Sequence, residues 1–103
     1  MIRHVVLFKF KADTPAEEKA TIVAGFRAMP ASIPELKDLE VGLNVVESPR
    51  AYDLALVCSF DDWAALDRYA KHPAHAPAAQ RARAACEHVA VVDFVEFKNE
   101  YPL

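Results

Sequence analysis

Glycine is nearly absent from this chain: of 103 residues only Gly25 and Gly42 are glycine. No glycine-rich loop can therefore cradle a phosphate, which excludes nucleotide sites built on such loops. Cysteine is as scarce. Cys58 and Cys86 are too few for a disulfide framework and read as small buried hydrophobes of a reducing compartment, so a cytoplasmic location is expected. Positive charge is in the minority, with 12 Lys and Arg against 15 Asp and Glu and a net charge of −3. No face for nucleic acid is expected from that balance. The apolar run at the N-terminus is too short for a membrane helix and lacks a small-residue cleavage site, so no membrane partner is expected either.

What is present is core-forming material: 53% of residues are hydrophobic and 26% charged. That composition excludes a disordered chain and fits one domain over residues 1–103, its core within about 2–97.

Residues 2–11 read as a strand with Ile2, His4, Val6, Phe8 and Phe10 on one side. Thr14, Pro15 and Glu17 then have the spacing of an N-cap, a first helical residue and a capping box. The helix is expected to run to about Met29 and stop at Pro30, with Ile22, Val23, Phe26 and Met29 as its apolar stripe. Leu39 to Val45 alternates as a half-polar strand, and Tyr52 to Phe60 forms the next. Asp61 or Asp62 caps a second helix that turns Leu66, Tyr69 and Ala70 inward and ends at His72, before Pro73. Pro77 is expected to start a third helix reaching Cys86 or Glu87, and His88 to Phe97 is the last strand. Two β-α-β halves in this order predict an α+β, ferredoxin-like, antiparallel four-stranded sheet with helices on one face.

The first and last strands are apolar on both sides, whereas a lone sheet of this kind should show water a polar face. A homodimer through the sheet faces satisfies that pattern, with Val5 and Val91 as positions where a charge should break it.

The chemistry-bearing residues are few. His4 shares a side with Phe8 and Phe10, facing the helices; Tyr69 stands one helical turn before His72; His75 lies two residues beyond Pro73. His72 and His75 have a zinc-pair spacing, but no third ligand is near in sequence, so neither metal nor cofactor is expected. His72 also fits a helix end, His75 a surface loop, and His4 and Tyr69 satisfied core residues. A Tyr–His pair in an apolar cavity could instead move a proton and hold an oxyanion. Cys58 lacks a thiolate-stabilising cation, and Asp93 reads as an edge or dimer-contact residue.

The opening His4-Val5-Val6-Leu7-Phe8-Lys9-Phe10-Lys11, the strand end Phe60-Asp61-Asp62 and Tyr69-Ala70-Lys71-His72-Pro73-Ala74-His75 resemble the stress-responsive A/B barrel (Dabb) family over residues 2–97. The resemblance implies a homodimeric α/β barrel with a cavity between each sheet and its helices. Within the family the chain is similar to the plant polyketide cyclase that makes olivetolic acid. By that likeness His75 is a catalytic base for aldol condensation, Tyr69 supports it, and His4 is a polar anchor. His72, Phe8, Phe26 and Val23 are expected at the ligand. Phe26 replaces a pocket tyrosine of that cyclase, Cys86 replaces a tryptophan, and Ala76 to Gln80 is differently built, which implies a different pocket shape. The expected function is thus a cofactor-independent, cyclase-like enzyme acting on a carbonyl compound. The alternative is a non-catalytic, stress-associated homodimer that binds a small apolar ligand.

Overall fold

The computed structural model describes residues 1–96. Its elements are β1 (Ile2–Phe10), α1 (Ala16–Ala28), a short 3-10 turn (Met29–Ala31), β2 (Lys37–Leu43), β3 (Leu54–Phe60), α2 (Trp63–Lys71), α3 (His75–Ala84) and β4 (Cys86–Val95). The strands form one sheet in the order β2-β3-β1-β4, with every neighbouring pair antiparallel. This is the interleaved β-α-β arrangement that the element order predicts. Phe97, expected as the end of the last strand, lies outside the described residues.

The closed barrel is not what this chain forms. β2 and β4 stand at opposite ends of the strand order and do not pair with each other, so the sheet is open. Four strands are too few to curl around a filled interior. The core instead lies between one sheet face and the helices. Ile2, Val6, Phe8 and Phe10 of β1 pack there with Leu54, Leu56, Cys58 and Phe60 of β3, and with Ile22, Val23 and Phe26 of α1.

Local details depart from the expected boundaries for physical reasons. The capping box at α1 does not form: Pro15 occupies the N-cap with no side-chain bond, and Thr14 Oγ1 donates instead to the Ala85 carbonyl at 3.2 Å. That bond ties the start of α1 to the end of α3. Of the two aspartates considered for α2, Asp62 is the cap, accepting from the Ala65 N–H at 2.8 Å. α3 begins at His75 rather than Pro77. Pro77 is its third residue, still within the first turn, where a missing N–H breaks no helical bond. β2 ends at Leu43; Asn44 N–H still donates to the Asp53 carbonyl at 2.8 Å, and its Nδ2 donates to the Val46 carbonyl at 2.9 Å as the chain turns away.

The register divides β4 cleanly. Val89, Val91, Asp93 and Val95 pair with Phe8, Val6, His4 and Ile2 and share the helix side; Ala90, Val92 and Phe94 pair with Leu7, Val5 and Arg3 on the open side. Val91 therefore belongs to the core side, and Val92 is the partner of Val5 on the open face. That face continues through Ala55 and Val57 of β3.

Candidate active site

The helix side of the sheet is not completely filled. Between β1, α2, α3 and β4 lies a cavity of about 300 Å³. Its apolar wall includes Val6, Phe8, Phe26, Leu56, Leu66, Ala79, Val89 and Val91, and its polar groups are His4, Tyr69, His75, Arg83 and Asp93. Each polar group comes from a different local cause. Strand alternation turns His4 to the helix side with Phe8. Helical phase puts Tyr69 on the inner face of α2 with Ala65, four residues earlier, where it is only 2% exposed. Pro73 ends α2, and the short turn that follows carries His75 back over Tyr69, with ring centroids 4.5 Å apart. The His4 ring meets Tyr69 edge-on at 5.8 Å, and Phe60 backs the tyrosine at 4.8 Å.

Not every expected residue reaches the cavity. Phe8 and Phe26 line it. His72 does not: it terminates α2, and its Nδ1 accepts the Ala74 N–H at 3.0 Å, so the ring fastens the turn that carries His75. Val23 is buried in the core but faces a separate depression with Ala24 and Leu43. Two residues join the site that the sequence did not assign to it. Asp93 Oδ1 is bonded to His4 Nδ1 across the β1–β4 ladder, where the two residues are register partners. No local signal announces that pairing, because the strands are the first and last of the chain. Arg83 does carry a signal, since it continues the His75–Ala79 stripe at the next four-residue step along α3.

The electrostatics separate the roles these groups can take. Burial, aided by Arg83 and His4, lowers the pKa of His75, against a smaller opposing pull from the Ala70 carbonyl. His75 is therefore a neutral imidazole at physiological pH, able to accept a proton. Burial raises the Tyr69 phenol above its ordinary range, so it remains an O–H donor. An ionised carboxylate only accepts, so the His4 Nδ1–H donates to Asp93, which fixes the orientation of the ring in the cavity. Cys58 is fully buried, and its thiol is pushed up to about 12, chiefly by desolvation, which makes it a poor nucleophile. Among the described residues no group of three His, Cys, Asp or Glu side chains could hold a metal ion. No described helix is long and apolar enough to cross a membrane.

The family pattern of the Stress Responsive A/B Barrel Domain (Dabb) matches residues 2–96. The chain belongs to this family. An uncharacterized protein of Streptomyces coelicolor is 42% identical over 78 residues, covering 73% of this Dabb chain and 79% of its own. A dimeric protein of unknown function with a ferredoxin-like fold, from Bacteroides fragilis, is 35% identical with a TM-score of 0.76, over 90% of this chain and 93% of that one. A dimeric ferredoxin-like protein of unknown function from Thermobifida fusca is 26% identical with a TM-score of 0.85, over 92% and 90%. None of these three carries the name of the olivetolic acid cyclase. The family is shared at the level of the Dabb domain, and the likeness to that one cyclase goes no further than the residues quoted for it.

Proposed function

We propose that this Dabb domain is a cofactor-independent enzyme that removes a proton next to a carbonyl group and so promotes cyclase-like condensation. The observation that carries this reading is the imidazole of His75 and the phenol of Tyr69, with ring centroids 4.5 Å apart, in a predominantly apolar cavity. The unprotonated nitrogen of His75 takes the proton from the carbon beside the carbonyl. The electron pair of that C–H bond moves onto the carbonyl oxygen, which accepts a hydrogen bond from the Tyr69 O–H. The enolate carbon then attacks a second carbonyl of the same molecule, and His75 returns the proton to the new alkoxide. His4, held by Asp93, anchors a further oxygen of the substrate.

Linear poly-β-keto compounds, followed against their spontaneous cyclisation, test the reaction. Proton-to-deuterium exchange beside a simple ketone tests its first step. His75→Ala should slow both by ~10²–10⁴-fold while the assembly persists. Turnover at the unmodified rate in that variant rejects His75 as base.

The predominantly apolar wall favours a second reading, a module that binds a small apolar ligand without reaction. Binding of an inert apolar ligand, with no carbonyl compound reacting, would select it.

Either reading goes with a homodimer through the open sheet face. Val92 and Phe94 are 58% and 47% exposed there, which leaves an apolar strip open to a partner. The relative from Bacteroides fragilis, itself described as dimeric, supports this assembly. Val5→Asp should dissociate the pair in sedimentation experiments; a stable monomer of the unmodified protein rejects it.

A further inference from the structure

We infer that the cavity takes an anionic carbonyl substrate, an oxo-acid whose carboxylate pairs with Arg83 while its carbonyl lies between Tyr69 and His75. The inference rests on the proton-abstraction reading and adds the substrate class. Its starting point is a difference between two arginines of one helix. Arg81 is held by Glu18 through two bonds of 2.8 Å, just as Arg68 is held by Glu35 at 2.9 Å. Arg83 borders the cavity, and no carboxylate among the described residues lies within ion-pair distance of it. The one acidic group in the wall, Asp93, is already engaged by His4. Among the described residues, the wall thus holds an anion that already has a partner and a solvent-exposed, permanent cation with no carboxylate partner.

The geometry of α3 sets the shape of the ligand. His75, Ala79 and Arg83 recur every four residues on one stripe, so about 12 Å of helix separates the outer two. Arginine side chains lean toward the N-terminus of their helix, which brings the guanidinium back toward His75. Ala79 between them leaves room for a ligand to lie along the helix. A carboxylate several bonds from the reactive carbonyl spans that stripe, and a guanidinium binds carboxylates through paired N–H donors. Because both groups line one cavity, the charge of Arg83 also contributes to the lowered pKa of His75. A bound carboxylate offsets that charge and makes His75 a stronger base when the substrate is in place.

The probes are 7-oxooctanoate and its isosteric amide, 7-oxooctanamide, titrated calorimetrically into the unmodified protein and Arg83→Gln at neutral pH and low salt. The acid should bind about tenfold more tightly than the amide, as one charge-assisted pair provides. Arg83→Gln should remove that preference by weakening the acid alone, Arg83→Lys should restore part of it, and high salt should reduce it. In the unmodified protein, acid binding should raise the NMR-detected pKa of His75. Equal affinity for acid and amide, equal weakening of both by Arg83→Gln, or no binding of either overturns the inference. Deuterium exchange beside the ketone of the amide is read separately. Exchange without acid preference rejects the anion site and leaves the proton-abstraction reading standing; acid preference without exchange of either probe does the reverse.

Discussion

Under α1 the helix face of the sheet is closed. Ile22, Val23 and Phe26 descend onto it, and Met29, Ile33 and Leu36 seal the turn that follows. Under α3 the same face meets Ala79 and Ala82, the buried residues of that helix, and the cavity opens beside them. One sheet face therefore supports two kinds of construction, and the size of the helical side chains decides between them. The bulky end supplies apolar burial and rigidity. The alanine end gives up contact area and gains a space lined by the packed rings of His4, Tyr69 and His75. A core residue and a site residue can thus lie on the same strand, as Phe10 and His4 do.

The contrast is broken most severely at the sealed end. Ile33 is fully buried, so Ile33→Ala should lower the unfolding free energy by about 2–5 kcal/mol in urea titrations. A loss below 1 kcal/mol would mean that this end is not close-packed. At the open end the larger effect should fall on chemistry. Tyr69→Phe keeps the ring between Phe60 and His75 but deletes the hydroxyl, and the deuterium exchange rate should drop by ~10²–10³-fold. An unchanged rate would leave Tyr69 as packing only. Ala79→Leu sharpens the comparison by giving α3 the bulk that α1 has. Because it fills an existing space, its effect on stability should stay within about 1.5 kcal/mol, while calorimetric binding of ketone probes is lost. Retained binding would place the ligand elsewhere.

The smallest effect concerns pH. His75 has a folded-state pKa below the ordinary imidazole value of 6.5, so the unfolded chain takes up the proton first as pH falls. Its contribution to stability is complete above pH 6.5 and is lost as pH drops through the lower, folded value. Glu18 and Glu35, whose carboxyls are held down chiefly by Arg81 and Arg68, lose theirs only below the ordinary carboxylate value of 4.5. The slope of stability against pH just below 6.5 should therefore flatten in His75→Gln. An unaltered slope there would show that His75 is not desolvated.

Much of this architecture is legible in the sequence because its signals are local. Alternation along residues 2–10 assigns the two sides of β1, Pro73 ends α2 at Lys71 with His72 as its C-cap, and Asp62 caps the helix that it precedes. The failures arise where a distant group outcompetes a local one. Thr14 reads as a cap until the Ala85 carbonyl takes its hydroxyl. His72 reads as a ligand residue until its ring turns to the Ala74 N–H. Pro77 reads as a helix start, although the first turn can form ahead of it.

The order of strands and helices, the inward face of β1 and the histidine and tyrosine that line the cavity follow from the sequence alone, since periodicity, proline and capping act over a few residues. Tertiary structure alone decided that the sheet stays open, that Val92 rather than Val91 stands opposite Val5 on the bare face, and that Asp93 holds His4 from the far end of the chain. Those outcomes depend on strand order and register, which are fixed by packing between segments far apart in sequence, and no local pattern encodes them.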